Sequence, residues 1–140
     1  MISPFLFAFC STVGFCIIFH VPRRHIIPAS LVGACGWLTY IYSVASNSGS
    51  VLGCFAASCI VALLSDIFSR VFKDAATIFI IPGILPLVPG ANMYYTMLAI
   101  LDRDLDKTAL IGTETLLMAG AIAVALLMVT SIIRLVITLK

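Results

Sequence analysis

The sequence predicts an all-α membrane protein with about five transmembrane helices, the fourth broken by a proline- and glycine-rich motif at the midplane. Hydrophobic residues make up 62% of the 140 residues and charged residues only 10%, whereas soluble domains carry about 25% charged residues. The mean hydropathy is +1.20. Too few polar side chains remain to cover a soluble globule, so lipid must cover the surface. The net charge of +2 shows no nucleic-acid footprint.

The apolar residues fall in five long runs, and a bilayer-spanning helix needs about 20 such residues. The predicted helices of this single integral-membrane domain, residues 1–140, cover about 2–21, 26–46, 49–69, 75–101 (broken at 82–90) and 108–133. The runs are apolar on every face, whereas barrel strands alternate apolar and polar residues. The first run is longer than the apolar core of a typical signal peptide, and no basic residue precedes it.

The basic residues orient the predicted helices. They cluster after the first, third and fifth runs, at Arg23 and Arg24, at Arg70 and Lys73, and at Arg134 and Lys140. Because Lys and Arg collect in cytoplasmic loops, we expect the N-terminus outside and the C-terminus in the cytoplasm of an inner-membrane protein. If the fourth segment re-entered instead of crossing, the last cluster would lie outside, so the same rule favours a full crossing.

Small residues recur every four positions on several predicted helices, which lets helix backbones approach closely in lipid. The predicted packing positions are Gly33, Gly49, Gly53, Ala57, Ala119 and Ala123. These faces pack either within one subunit or against a partner. Five helices are few for a secondary transporter, which usually pairs two repeats around a central site. We therefore expect this chain to assemble with another.

The stretch from Ile81 to Gly90 is the most informative part of the sequence. It holds three prolines and two glycines in ten residues: Pro82, Gly83, Pro86, Pro89 and Gly90. Each proline removes a backbone donor and clashes with the preceding helical turn. A continuous helix is not expected here. The break is predicted near the bilayer midplane.

Irregular backbone at membrane depth is tolerated only where protein or a watery cavity satisfies its polar groups. A half-helix beginning at Gly90 would present free N–H groups and a positive dipole end. Asn92 could cap or line that end, and Tyr94 and Tyr95 follow within one turn. Such a site suits a carboxylate, and broken helices form substrate sites in transporters. The alternative is a simple kink packed against its neighbours.

The segment Ile81 to Tyr95, which reads IPGILPLVPGANMYY, resembles the threonine/serine exporter (ThrE) family. The chain looks like the small, YjjB-like type, which carries only the C-terminal half of that fold. Residues 13–24 and 33–37 also resemble family patterns, so the resemblance covers essentially the whole chain. One departure is Asp74, where members of this kind often have proline.

The resemblance implies export of threonine and serine, driven by the proton gradient. It also implies a larger membrane partner of the same family, a YjjP-like subunit. Some split pairs instead resemble dicarboxylate systems, with succinate as a substrate. The positions that match the family motif are Pro82, Pro86, Pro89, Gly90 and Tyr94.

Two acidic residues lie inside predicted spans, and a charge in lipid is a functional hypothesis by default. Glu114 and Asp66 are therefore candidates for carrying a coupling proton. For Asp66 the alternative is an ion pair with Arg70, one helical turn on. For Glu114 the alternative is an interfacial position that tilt or snorkelling brings to water.

The remaining signals favour neither a metal nor a cofactor nor an enzyme. The five cysteines form no CxxC pair, so no zinc or redox site is indicated. Neither HExxH nor GxSxG occurs. A transporter subunit is the main functional hypothesis, and a membrane scaffold or channel-forming protein with no substrate site is the alternative. Whether the chain forms homo-oligomers stays open.

Overall fold

The computed structural model describes residues 2–138, and these form helices and turns with no strand. The fold class is thereby confirmed as all-α, and the predicted break in the fourth segment is present. The elements are α1 (Ile2–Ile18), α2 (Arg23–Ala45), α3 (Ser50–Phe72), α4 (Thr77–Ile84), a 3-10 turn (Leu85–Leu87), α5 (Gly90–Leu101) and α6 (Leu105–Thr138).

Among the described residues, three helices are long and apolar enough to cross a membrane by themselves: α2, α3 and α6. The pair formed by α4 with its 3-10 turn and α5 passes the same test together and is bent by 48°. The first helix is apolar but shorter. Counting the bent pair as one span and adding α1 gives about the five membrane helices that were expected.

The helix ends differ from the predicted ones by a few residues. The first helix ends at Ile18 rather than near residue 21, because His20 adopts a φ of 54° that ends the helix. The second helix starts at Arg23, directly after Pro22, although its first turn is charged. The last helix is longer than expected, from Leu105 to Thr138. Hydropathy marks the lipid-facing part of a helix, whereas hydrogen bonding continues into the polar flanks.

The ends of the bundle show which way the bent pair runs. Asp66, Thr77 and Arg134 line one crevice, so the ends of α3 and α6 and the start of α4 lie together. Ser50 and Glu114 line a cavity toward the other end. The bent pair therefore passes from one end to the other, as a full crossing requires. We call the first end the basic end, because Arg23, Arg24, Arg70, Lys73 and Arg134 lie there.

The core lies between α2, α3, the 3-10 turn and α6, whose buried side chains form one apolar cluster. Its members are Val32, Cys54, Ala57, Val61, Leu87, Met118 and Ile122. A second cluster near the basic end joins Cys16, Ala29 and Phe79. In contrast, among the described residues α5 packs against α6 alone. The second half of the broken span is therefore less enclosed than the other helices.

The predicted small-residue positions divide into two groups. A Cβ on Gly33 would lie 2.5 Å from Thr12 Oγ1, and one on Gly53 would lie 3.2 Å from Tyr40 Cδ2. These glycines, with the fully buried Ala57, allow close helix approach. The remaining positions differ from the expectation. Gly49 has open space around it and a φ of 80°, so it serves the α2–α3 turn, while Ala119 is half-buried and Ala123 exposed.

Candidate functional site

The broken span unwinds over a shorter stretch than the sequence predicts. Pro82 and Gly83 lie inside α4, and the backbone leaves α-helical form only from Leu85 to Pro89. Gly83 serves close packing, because a Cβ there would lie 3.0 Å from Val32 Cγ1. The first proline is accommodated within the helix at the cost of one backbone hydrogen bond. The break therefore belongs to the second half of the motif.

The backbone at Pro89 forms a tight turn before α5. Pro89 has φ −76° and ψ 56°, and the Gly90 N–H donates to the Val88 carbonyl at 2.7 Å, as in an inverse γ-turn. The first bond of the new helix runs from the Met93 N–H to the Pro89 carbonyl at 3.1 Å. The amide N–H groups of Ala91 and Asn92 precede this bond, so they are free for a ligand or water.

Asn92 does not cap α5, since no side chain caps its first turn. The Asn92 side-chain amide instead donates to Met118 Sδ at 3.7 Å, which ties the start of α5 to α6. Of the two predicted roles, lining the site is the one that the structure supports. Met118 itself is nearly fully buried, so this contact fixes the position of the half-helix terminus.

A cavity of about 390 Å³ lies beside the break, within the range of about 300–1,000 Å³ that ligand pockets occupy. Residues 86–92 form one wall. The other walls come from Trp37 and Tyr40 of α2, Ser50 at the start of α3, and Glu114 and Met118 of α6. The broken helix and Glu114, which were separate hypotheses, thus share one cavity.

Three polar side chains line this cavity: those of Tyr40, Ser50 and Glu114. All three side chains are half-buried. Together with the amides of Ala91 and Asn92, they offer donors for an anion at one wall and an acidic acceptor at another. The cavity can therefore hold a small ligand that carries both kinds of group.

Several predicted site residues lie elsewhere. Tyr94 and Tyr95 are 64% and 54% exposed. Their rings meet edge to face, outside the cavity walls. Asp66 accepts a hydrogen bond from Arg70 Nε at 2.6 Å and lines the separate crevice at the basic end. The ion-pair alternative for Asp66 is the arrangement observed. Pro82 faces an apolar groove beside the α1–α2 turn, not the cavity.

Sequence reasoning missed Tyr40 and Ser50 and used Trp37 only as a family marker. No local signal marked Tyr40 and Ser50, since an isolated hydroxyl in an apolar helix has no distinctive spacing. In the described part of the chain, no group of three His, Cys, Asp or Glu residues could hold a metal ion.

A multi-helix membrane domain with a broken span and a polar cavity at the break belongs to the class of membrane proteins that handle solutes. A family model described as threonine/serine exporter, ThrE, matches residues 4–132. The chain therefore belongs to the threonine/serine exporter family.

Among curated proteins, the chain is similar to an uncharacterized protein of Haemophilus influenzae. The two are 26% identical over 99 residues, which are 71% of this chain and 33% of that relative. The match thus spans about a third of the relative's length. No solved structure matches the chain.

Proposed function

We propose that this chain is a subunit of a secondary-active exporter of small carboxylate-bearing metabolites, threonine and serine in the first place. It works with a larger, YjjP-like partner subunit in the inner membrane. The observation that carries this proposal is that Ala91, Asn92 and Glu114 line one shared cavity. One wall suits the carboxylate of an amino acid, and another wall suits its ammonium group.

The wall at the start of α5 suits a carboxylate. A helix N-terminus carries about +0.5 of an elementary charge, and the two amide N–H groups can donate to an anion's oxygens. On the other walls, the Glu114 carboxylate suits an ammonium group, and the hydroxyls of Tyr40 and Ser50 suit a substrate hydroxyl. A hydroxy amino acid therefore matches the cavity better than a dicarboxylate such as succinate, whose second carboxylate would meet Glu114.

Glu114 also offers a means of coupling transport to protons. It is half-buried in the cavity wall, and an ionisable side chain inside a membrane span is a functional hypothesis by default. We propose that its carboxyl group binds either a proton or the ammonium group of the substrate. Because a proton and the substrate compete for the same carboxyl group, the flux of protons and the flux of substrate are linked.

The orientation and the partner complete the proposal. The basic end faces the cytoplasm under the positive-inside rule, and the cavity lies nearer the outside. The larger partner is what membership of the exporter family implies.

The test uses cells that lack the exporter and receive this chain with its partner. Intracellular and external threonine, serine and succinate are measured after loading. Glu114→Gln should lower threonine and serine efflux at least about tenfold, because the variant cannot exchange a proton, while membrane levels of the protein stay unchanged. The matched control is Asp66→Asn, which should leave efflux near wild type.

Efflux that is independent of Glu114, or no efflux of any of the three solutes, would contradict the proposal. The second result would favour the alternative of a scaffold or channel-forming protein. If succinate is the only solute exported, the exporter function is supported but the preference for amino acids is wrong.

A further inference from the structure

The two turns at the basic end are joined by three side chains. Arg24 Nη2 lies 2.6 Å from Asp74 Oδ2, and His25 Nε2 lies 2.9 Å from the same oxygen. Arg24 and His25 belong to the first turn of α2, whereas Asp74 lies in the α3–α4 turn. The contact therefore ties the α1–α2 connection to the point where the broken span begins.

His25 is the buried member of this cluster. Its side chain is fully buried and meets the rings of Phe72 and Phe79 edge-on, at centroid distances of 5.2 and 5.4 Å. Its Nδ1 has no hydrogen-bond partner. His25 Nε2 accepts a hydrogen bond from Arg24 Nε at 2.8 Å and lies 2.9 Å from Asp74 Oδ2, so Arg24 and Asp74 both meet the same imidazole nitrogen. Beneath this cluster, the fully buried Phe79 of α4 packs with Cys16 of α1 and Ala29 of α2, which fills the space between these three helices.

The opposite half of the bundle is built differently. There the cavity lies between α2, α3, α5 and α6, and among the described residues α5 packs against α6 alone. The packing between α1, α2 and α4 is therefore closed at the basic end, whereas a cavity is present toward the other end. An exporter must load its solute from the cytoplasm, so a state with the basic end open must also exist.

We propose that Arg24, His25 and Asp74 form a latch that closes the basic end and must part before solute can enter from the cytoplasm. This rests on the proposed function, because a gate serves transport. Removing the Asp74 charge breaks its contacts with Arg24 and His25 and unties the two turns, while the hydrogen bond from Arg24 to His25 remains. Since the lost contacts hold only the closed arrangement, the equilibrium shifts toward the state with the basic end open.

The chain supplies its own reporter for this state. Cys16 is fully buried beneath the latch, in contact with the cluster of Phe79. When the other four cysteines are replaced by alanine, Cys16 is the single thiol. A second reporter, Ser50→Cys in a cysteine-free chain, lies in the cavity wall at the other end. A membrane-impermeant maleimide is applied to inside-out vesicles for Cys16 and to right-side-out vesicles for Ser50→Cys.

Asp74→Asn should raise the labelling rate of Cys16 about tenfold, which is the usual effect of losing a hydrogen bond to a charged group. It should lower the labelling rate of Ser50→Cys, because the two open states exclude each other. Asp74→Glu keeps the carboxylate and should label nearly as wild type. The matched control is Asp104→Asn, which removes an ion pair with Lys107 at the other end and should change neither rate.

An unchanged Cys16 rate in Asp74→Asn overturns the latch. So does a rise at both reporters together, which marks general loosening rather than a change of open end. If the Asp74→Asn protein does not reach the membrane, Arg24→Gln is tested instead. The Arg24 side chain is 67% exposed, so its replacement should not disturb folding, and both labelling rates should change in the same directions as expected for Asp74→Asn. The labelling assay needs no solute. If the two labelling rates change in opposite directions but no efflux is measured, the latch is supported and only the proposed function is contradicted.

Discussion

The contact between α1 and α2 allows a quantitative test of the packing. In Gly33→Ala, the new methyl group would lie 2.5 Å from Thr12 Oγ1 and 3.0 Å from Thr12 Cγ2. Thr12 is fully buried, and its hydroxyl donates to the Ala8 carbonyl at 2.8 Å. The side chain cannot swing away without losing that bond, so the helices themselves must separate.

Two opposing effects set the magnitude. Overpacking of a tight interior costs about 1–3 kcal/mol, and a contact of 2.5 Å belongs in the upper half of that range. Replacing glycine by alanine inside a helix gains at most about 1 kcal/mol. The net expectation for Gly33→Ala is a loss of about 1–2 kcal/mol, or about 4–8 °C in the melting temperature for a domain of this size.

The assay is thermal unfolding of the purified chain in detergent, followed by circular dichroism. Gly14→Ala is the matched control, because Gly14 lies in α1 with no atom within 4 Å of the new methyl group, and it should melt no lower than wild type. Adding Thr12→Ala to Gly33→Ala removes the clashing atoms and should restore part of the loss. A Gly33→Ala protein that melts at the wild-type temperature, or a double variant without recovery, would refute the packing argument.

Further predictions concern the site and the surface. Pro86→Ala should lower efflux without lowering membrane levels, because Pro86 shapes the cavity wall; immunoblots and efflux rates check this. Tyr40→Phe should weaken transport of hydroxy amino acids more than of alanine, as competition assays would show. Asp66→Asn should change the melting temperature by less than about 4 °C, since exposed pairs contribute at most about 1 kcal/mol. Hydrogen bonds from Lys107 lower the pKa of Asp104. The cap that the Asp104 carboxylate forms on α6 should therefore be complete at every pH above the ordinary aspartate pKa. The cap is lost only as pH falls through the lowered pKa; hydrogen exchange at the Lys107 amide reports this.

The sequence was informative wherever composition alone decides the structure. Runs of apolar residues located every helix, and the prolines located the break in the fourth span. The prolines did not show at which residue the break starts. Pro82 and Gly83 have the same local preferences as Pro86 and Pro89, yet they remain in α4 because Gly83 fits against Val32. That contact depends on another helix, so no local pattern could reveal it.

The candidate site shows the same limit. Glu114 and residues 86–92 were each expected to matter, but their meeting in one cavity depends on how α5 and α6 pack. Tyr40 and Ser50 went unnoticed because an isolated hydroxyl in an apolar helix has no distinctive spacing. Asp66 looked equivalent to Glu114 by its position within a span, and only the observed bond with Arg70 separates the two.

The residues that line the cavity come from several helices, and this affects how the solute selectivity of the cavity could be changed. Trp37 and Tyr40 come from α2, Ser50 from α3 and Glu114 from α6, while the proline motif supplies only one wall. Transplanting the motif from a related exporter would carry over the backbone donors but leave the side chains across from them unchanged. A chimera with a new solute preference would need coordinated exchanges on four helices, which also suggests why such preferences would diverge slowly in evolution.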